Sequence, residues 1–209
     1  VWWSQCSVKY SNGLRYPLYY PHYTSGYEKV KMSTMNRRIT METDAPISKR
    51  IVIFGAAGDL CKRKLIPSLY NLWTKNLLPE GLLIVGSSRR EITRDEWLRQ
   101  LGNYPEDFCH WLDFVSCDLE CEESLNKLHD NSADTTYFLS VPPNTYASAI
   151  THLKSAGFLD DPERSRVVIE KPFGYDYKSA DNLQSVVERY LREKQVYRID
   201  HYLGKDTVN

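Results

Sequence analysis

From Arg50 onward the chain alternates two hydrophobic patterns: short unbroken apolar runs, and longer stretches whose apolar positions recur every three or four residues. The run Ile51-Val52-Ile53-Phe54 is apolar at every position, as expected of a parallel strand covered on both faces. Runs over 82–85, 114–117, 136–141, 166–169 and 196–200 read the same way, and Pro142-Pro143 stops the fourth strand. Between them, helical spacing predicts helices over 59–75, 91–101, 122–129, 144–157 and 178–193. In the first helix Leu65, Leu69, Leu72 and Trp73 share a face, and Pro67, which lacks a donor and crowds the preceding turn, is expected to kink or restart it. Strands separated by helices along the whole stretch predict an α/β fold, a Rossmann-like doubly wound parallel sheet.

Residues 1–45 show neither pattern. They hold six tyrosines between Tyr10 and Tyr27 with scattered Pro and Ser, and read as a disordered or non-native extension. Met32 and Met35 are candidate initiators. A basic, acid-poor leader also suits a transit peptide to a plastid, although its aromatic content fits that poorly. The Rossmann-like domain is expected over 46–200.

Composition narrows the classes. With 209 residues, 42% of them hydrophobic, the chain can bury one ordinary core. Formal net charge is zero, which argues against nucleic acid or an anionic membrane as the main partner. That zero hides an asymmetry: residues 1–50 carry eight Lys/Arg against three Asp/Glu, leaving the remainder net acidic by five. No apolar run approaches the roughly 18 residues that a membrane span needs. Five irregularly spaced cysteines in a chain of this size favour a reducing, cytoplasmic setting. Cys109-His110 with Cys117 and Cys121 can be drawn as a zinc site. Without a tight Cys-x-x-Cys pair, and beside Phe108, Trp111, Leu112 and Phe114, the cysteines read better as small apolar residues, so no metal is expected.

The first strand–helix junction is Gly55-Ala56-Ala57-Gly58-Asp59-Leu60-Cys61-Lys62-Arg63-Lys64. Two glycines let a backbone approach a pyrophosphate, and the helix N-terminus adds free N–H groups. Three cations in the first helical turns oppose the macrodipole unless an anion is bound there. A tight turn capped by Asp59 is the simpler alternative. The second strand leads into Ser87-Ser88-Arg89-Arg90, where an NAD enzyme usually carries a carboxylate. Two serines and two arginines suit a 2′-phosphate instead, which favours NADP; Glu91 is expected to start the next helix. Glu170-Lys171-Pro172-Phe173-Gly174 follows an apolar strand, so Lys171 emerges at the carboxyl edge of the sheet. There its ammonium can reach both a nicotinamide and a substrate hydroxyl, and Pro172 can fix the bend as a cis bond. A surface lysine before a turn is the alternative.

The last strand runs into Arg198-Ile199-Asp200-His201-Tyr202-Leu203-Gly204-Lys205. A carboxylate, an imidazole, a phenol and an ammonium at a strand's carboxyl end suit a small, hydroxyl-rich, anionic substrate. His201, Tyr202 and Lys205 can hold a phosphate, and Asp200 can orient a general base. A loop whose polar residues satisfy one another is the competing explanation.

Taken together, the glycine loop, Val85-Gly86 with Arg89, Pro142-Pro143 with Tyr146, Glu170 through Gly174 and Arg198 through Lys205 resemble the amino-terminal part of glucose-6-phosphate dehydrogenases, in the family's order from about Arg50 to Asp206. The resemblance implies that Gly55, Ala56, Ala57, Gly58, Asp59, Leu60, Cys61, Lys62, Arg89, Tyr146 and Lys171 contact NADP. It further implies that Lys171, His201, Tyr202 and Lys205 hold glucose 6-phosphate and that Asp200 pairs with a catalytic histidine. The implied reaction oxidises C1 of glucose 6-phosphate to 6-phosphogluconolactone with hydride passing to NADP⁺, the first step of the oxidative pentose phosphate pathway. The full enzyme would be a homo-oligomer, a dimer or tetramer.

Three departures qualify the match. Ala57 stands where the family commonly has Ser or Thr, so one hydroxyl available to the 2′-phosphate is lacking. The stretch between Arg89 and Pro142 is shorter than in animal relatives. The family's general-base histidine lies beyond Asn209, in a large α+β domain of which 201–209 would be the start. On this reading the 209 residues alone are expected not to turn over substrate. Rival readings are a different Glu-Lys-Pro-type NAD(P)-dependent sugar oxidoreductase, and a catalytically inactive nucleotide-binding module.

Overall fold

A computed structural model describes residues 48–128 and 133–200. Six strands form one sheet: β1 (Lys49–Phe54), β2 (Leu82–Ser88), β3 (Leu112–Ser116), β4 (Asp134–Leu139), β5 (Ser165–Glu170) and β6 (Val196–Ile199). Their order is β3-β2-β1-β4-β5-β6 and every pairing is parallel. The predicted doubly wound sheet is therefore present. The apolar runs work as expected, because alternate residues of one strand enter opposite cores. Val52, Phe54, Tyr137, Leu139, Val167 and Ile169 face one cluster, while Ile53, Phe138 and Val168 face the other.

Helices cover both faces. On one side α1 (Ile66–Thr74) and α2 (Arg94–Leu101) contribute Ile66, Leu69, Trp97 and Leu101, together with Phe108 of the short α3 (Glu106–Cys109). On the other, α4 (Glu122–Leu125), α5 (Tyr146–Ser155) and α6 (Tyr177–Tyr190) contribute Leu125, Ile150, Leu153, Leu183 and Val187. Among the described residues no helix is long and apolar enough to cross a membrane.

Several boundaries differ from expectation for identifiable reasons. Pro67 does restart the first helix. The chain is helical from Asp59, widens into a π turn over Cys61–Leu65 that closes with the Ile66 N–H on the Cys61 carbonyl, and continues as α1 with Pro67 in its first turn. Widening accommodates a ring that offers no N–H to the turn before it. Glu91 does not start the second helix. Thr93 caps α2 instead: its hydroxyl accepts from the Glu96 N–H (3.2 Å) and the Glu96 carboxylate accepts from the Thr93 N–H (2.7 Å). Those hydrogen bonds hold the Glu96 carboxyl below its usual range. The third strand begins two residues early, α3 was not expected, and the helix expected over 122–129 is one α turn followed by a 3₁₀ turn. The sixth helix ends at Tyr190, where Leu191 turns extended, rather than at 193.

Cys61 and Cys117 are buried as small apolar residues, but Cys121 is exposed at the N-cap of α4. Among the described residues no group of three or more His, Cys, Asp or Glu side chains is placed to hold a metal. The expected extension, the expected start of a following domain, and His201, Tyr202 and Lys205 lie outside the described residues.

Candidate functional site

The chain builds β1, β2 and β3 outward in one direction, then returns to the other side of β1 for β4, β5 and β6. Connections therefore diverge at the carboxyl ends of β1 and β4, which leaves a crevice there. A cleft of about 450 Å³ occupies this place. Its floor is Gly55, Ala57 and Gly58; Ser87 through Arg90 wall it after β2, Asp118 and Glu120 after β3, and Ser140 through Pro142 after β4.

Gly55 has φ +79°, and a Cβ there would lie 2.0 Å from the Ser140 carbonyl oxygen, so this position needs glycine on two counts. The turn closes with the Gly58 N–H donating to the Gly55 carbonyl (2.9 Å). Ala56 is buried with both backbone groups satisfied: its N–H donates to the Ser87 carbonyl (3.0 Å), and its carbonyl accepts from the Trp97 indole N–H (3.0 Å). The first i→i−4 bond of the following helix is Lys62 N–H to the Gly58 carbonyl (3.3 Å), so the N–H groups of Asp59, Leu60 and Cys61 precede the helical ladder. Orphan donors and a helix dipole at the end of a glycine turn make an anion site.

The predicted loop residues divide by role. Gly55, Ala57 and Gly58 line the cleft, whereas Ala56 and Cys61 bury their side chains in the core. Burial pushes the Cys61 thiol up to about 12. Lys62, Arg63 and Lys64 are exposed, and Arg63 makes a surface pair with Asp59 at 3.7 Å.

After β2, Arg89 and Arg90 both line the cleft and are exposed, and neither guanidinium is paired with a carboxylate among the described residues. Their turn is pinned by the Ser116 hydroxyl, which donates to the Arg90 carbonyl (2.9 Å), and by the Ser88 hydroxyl, which accepts from the Arg90 N–H (3.2 Å). Two exposed guanidinium groups on a pinned backbone turn, unpaired among the described residues, can take an anion bidentately. Tyr146 sits differently. It is 2% exposed in the core and is not among the cleft-lining residues; burial, reinforced by the Glu170 carboxylate, pushes its phenol up to about 12.

Lys171 and Asp200, 29 residues apart, meet because β5 and β6 are adjacent and parallel. The register pairs Glu170 with Ile199, and the next residue of each strand extends past the sheet edge. There the Lys171 ammonium donates to Asp200 Oδ2 at 2.9 Å, and the Lys171 N–H donates to the Ile199 carbonyl at 3.2 Å. The Lys171–Pro172 peptide is cis. The lysine side chain remains 56% exposed and that of Asp200 15%. At about 4.8 Å per strand, this pair stands roughly 5–10 Å along the sheet edge from the end of β4.

The family model described as "Glucose-6-phosphate dehydrogenase, NAD binding domain" matches residues 52–209. The chain belongs to the glucose-6-phosphate dehydrogenase family. Among similar proteins, the glucose-6-phosphate 1-dehydrogenase of Borreliella burgdorferi is 39% identical over 170 residues, covering 76% of this chain and 35% of that protein. The corresponding protein of Aggregatibacter actinomycetemcomitans is 38% identical over 180 residues, covering 76% and 36%. The crystal structure of the Mycobacterium avium enzyme superposes with a TM-score of 0.66 at 30% identity, covering 74% of this chain and 36% of that one. A glucose-6-phosphate dehydrogenase in complex with its substrate glucose-6-phosphate gives a TM-score of 0.66 at 27% identity, covering 77% and 38%. The chain thus spans a little over a third of the length of the curated relatives it matches. As the nicotinamide-dinucleotide domain of a glucose-6-phosphate dehydrogenase it carries a site that fits such a cofactor: a glycine cradle, orphan donors above it and a guanidinium wall. Sequence reasoning missed Trp97, Ser116 and Ser140. A tryptophan amid Arg94, Asp95 and Glu96 was the one local sign available.

Proposed function

We propose that the protein to which this chain contributes oxidises C1 of glucose 6-phosphate to 6-phosphogluconolactone, with NADP⁺ as the hydride acceptor. The observation that carries this reading is the Lys171–Asp200 pair, standing beside a cleft built for a dinucleotide at the carboxyl edge of the same sheet. NADP⁺, when bound, supplies the acceptor carbon for hydride. Arg89, with Arg90 beside it, would hold the 2′-phosphate, and the N–H groups of Ala57, Asp59, Leu60 and Cys61 the diphosphate. Gly55, Ala56, Gly58 and Lys62 shape that loop, and Tyr146 supports the α5 side of the cleft from the core.

Lys171 would donate to a hydroxyl of the sugar while Asp200 holds its ammonium in place. His201, Tyr202 and Lys205 would take the sugar phosphate, so that binding far from C1 orients C1 toward the cofactor. By family resemblance Asp200 also orients the histidine that accepts the C1 hydroxyl proton. The four described cysteines are free thiols, which suits a cytoplasmic setting.

Saturation-transfer NMR on the 209-residue chain saturated with NADP⁺ tests the substrate assignment. Glucose 6-phosphate should receive magnetisation, glucose should not, and Lys171→Ala should reduce the transfer several-fold. Equal transfer to glucose, or none to glucose 6-phosphate, refutes the assignment.

A further inference from the structure

We propose that Trp97 is a positioning residue for the cofactor diphosphate: its indole N–H fixes the Ala56–Ala57 peptide so that the Ala57 N–H faces the cleft. This inference rests on the dinucleotide reading given above. In a trans peptide the C=O and the N–H point in opposite directions. The Ala56 carbonyl is drawn into the protein interior by Trp97 Nε1 at 3.0 Å, and Trp97 itself is fully buried. The other end of that peptide, the Ala57 N–H, must then point away from the interior, on the side where Ala57 lines the cleft.

The remaining groups of the turn are already used. Ala56 N–H is taken by the Ser87 carbonyl, and Gly58 N–H by the Gly55 carbonyl. Among the described residues no hydrogen bond takes the Ala57 N–H. It is a donor kept open, at the foot of a helix N-terminus and between two walls of a cleft. Without the indole, a buried carbonyl at Ala56 would lack a partner. The peptide could then rotate to satisfy it, withdrawing the Ala57 donor.

Trp97 can set this geometry because its own position is fixed. A Cβ at Gly86 would lie 2.5 Å from Trp97 Cζ2, so the ring packs directly on the β2 backbone where glycine leaves room. Phe114 covers it with centroids 5.3 Å apart, and the Thr93–Glu96 capping box fixes the start of its helix. Three residues beyond Gly86 comes Arg89. One side chain therefore ties the diphosphate turn to the strand that carries the guanidinium wall.

A residue that merely filled the core would, when replaced by a smaller aromatic, cost stability without singling out the diphosphate, and that contrast supplies the test. Calorimetric titration of the 209-residue chain would compare NADP⁺ with adenosine 2′-monophosphate, which carries the adenosine 2′-phosphate but no diphosphate. Trp97→Phe should raise the dissociation constant for NADP⁺ about tenfold, as for one lost oriented hydrogen bond, and leave that for adenosine 2′-monophosphate within about twofold. Phe114→Leu loosens the packing around the ring but keeps the N–H. It should lower the unfolding temperature while leaving the ratio of the two constants unchanged. If Trp97→Phe fails to fold, benzothienylalanine at position 97, with sulfur in place of the N–H in the same bicyclic ring, carries the same expectation. A ratio unchanged in the donor-lacking variant, or changed equally by Phe114→Leu, overturns the proposal. An unmutated chain that binds neither ligand overturns the nucleotide reading itself, and the positioning role with it.

Discussion

Replacing Gly55 with alanine places a methyl carbon 2.0 Å from the Ser140 carbonyl oxygen, 2.9 Å from its carbonyl carbon and 3.3 Å from Val141 Cγ1. The first two atoms are backbone, so no side-chain rotation relieves them. Relief needs a separation of more than about 1 Å between the turn after β1 and the end of β4, since unstrained carbon contacts start near 3.4 Å. Ser140 is not free to retreat, because its N–H donates to the Phe54 carbonyl at 3.0 Å, one residue beyond the Phe54–Leu139 pair of the sheet. Overpacking of this kind costs about 1–3 kcal/mol, and a side chain at φ +79° adds about 1–2 kcal/mol of left-handed strain. The sum, about 2–5 kcal/mol, corresponds to a fall of roughly 5–20 °C in unfolding temperature for a domain of this size. NADP⁺ affinity should fall with it, since the displaced turn is the floor of the cleft. Gly157→Ala is the matched control: φ there is +82° and the nearest atom, Asp160 Oδ2, lies at an ordinary 3.5 Å, so it should show the strain without the clash. Thermal unfolding by circular dichroism and calorimetric titration on the same samples measure both effects. If Gly55→Ala loses no more stability than Gly157→Ala and binds NADP⁺ as tightly as the unmutated chain, the turn is not seated against Ser140 and the floor of the site has been misread.

Cofactor preference should follow the guanidinium wall. The unmutated chain should bind NADP⁺ more tightly than NAD⁺, by a modest margin because Ala57 offers no hydroxyl, and Arg89→Ala should remove most of the difference by deleting a charge-assisted contact worth about 1.5–3 kcal/mol; equal affinities in the unmutated chain, measured by calorimetry, would contradict this. At alkaline pH, Tyr146 should matter. Its phenol is raised in the folded state from 10.0 to about 12, so the unfolded chain releases that proton first, and stability is full below pH 10 and declines as pH rises toward 12. Tyr146→Phe should make that decline shallower in denaturant titrations between pH 9 and 12, and an unchanged slope would mean that the phenol is not buried as described.

Much of the fold was legible because strands covered on both faces must be apolar throughout, and β1 and β5 announce themselves in that way. The stretch after Arg90 was harder to read. Its helices α3 and α4 span four residues each, too few for a helical period to emerge from noise. The start of α2 was written in Thr93 and Glu96, three residues apart, but Glu91 competes for the same role until the hydrogen bonds are seen. The candidate site divides along the same line. Gly55, Gly58, Arg89, Lys171 and Asp200 carry local signatures, a glycine spacing or a polar residue at a strand's end. Trp97 on Ala56, Ser116 on Arg90 and Ser140 against Gly55 are long-range contacts, and no spacing within the chain encodes which backbone group a distant side chain will meet.

The pairing of Lys171 with Asp200 depends on the alignment of two neighbouring strands. Along β5 and β6 side chains alternate between faces, so a slip of β6 by a single residue would bring Ile199 or His201 to the place of Asp200 and turn its partner's face away. The exposed turn that leads into α6 can lengthen without harm as long as that alignment returns. An insertion in the exposed stretch before α6 leaves that alignment intact and one inside α6 would carry Leu183 and Val187 off the core, while a one-residue shift inside Val196–Ile199 would leave the fold recognisable and the ion pair broken. The ammonium–carboxylate contact thus serves as a vernier on the sheet, reading whether its last strand is seated in register.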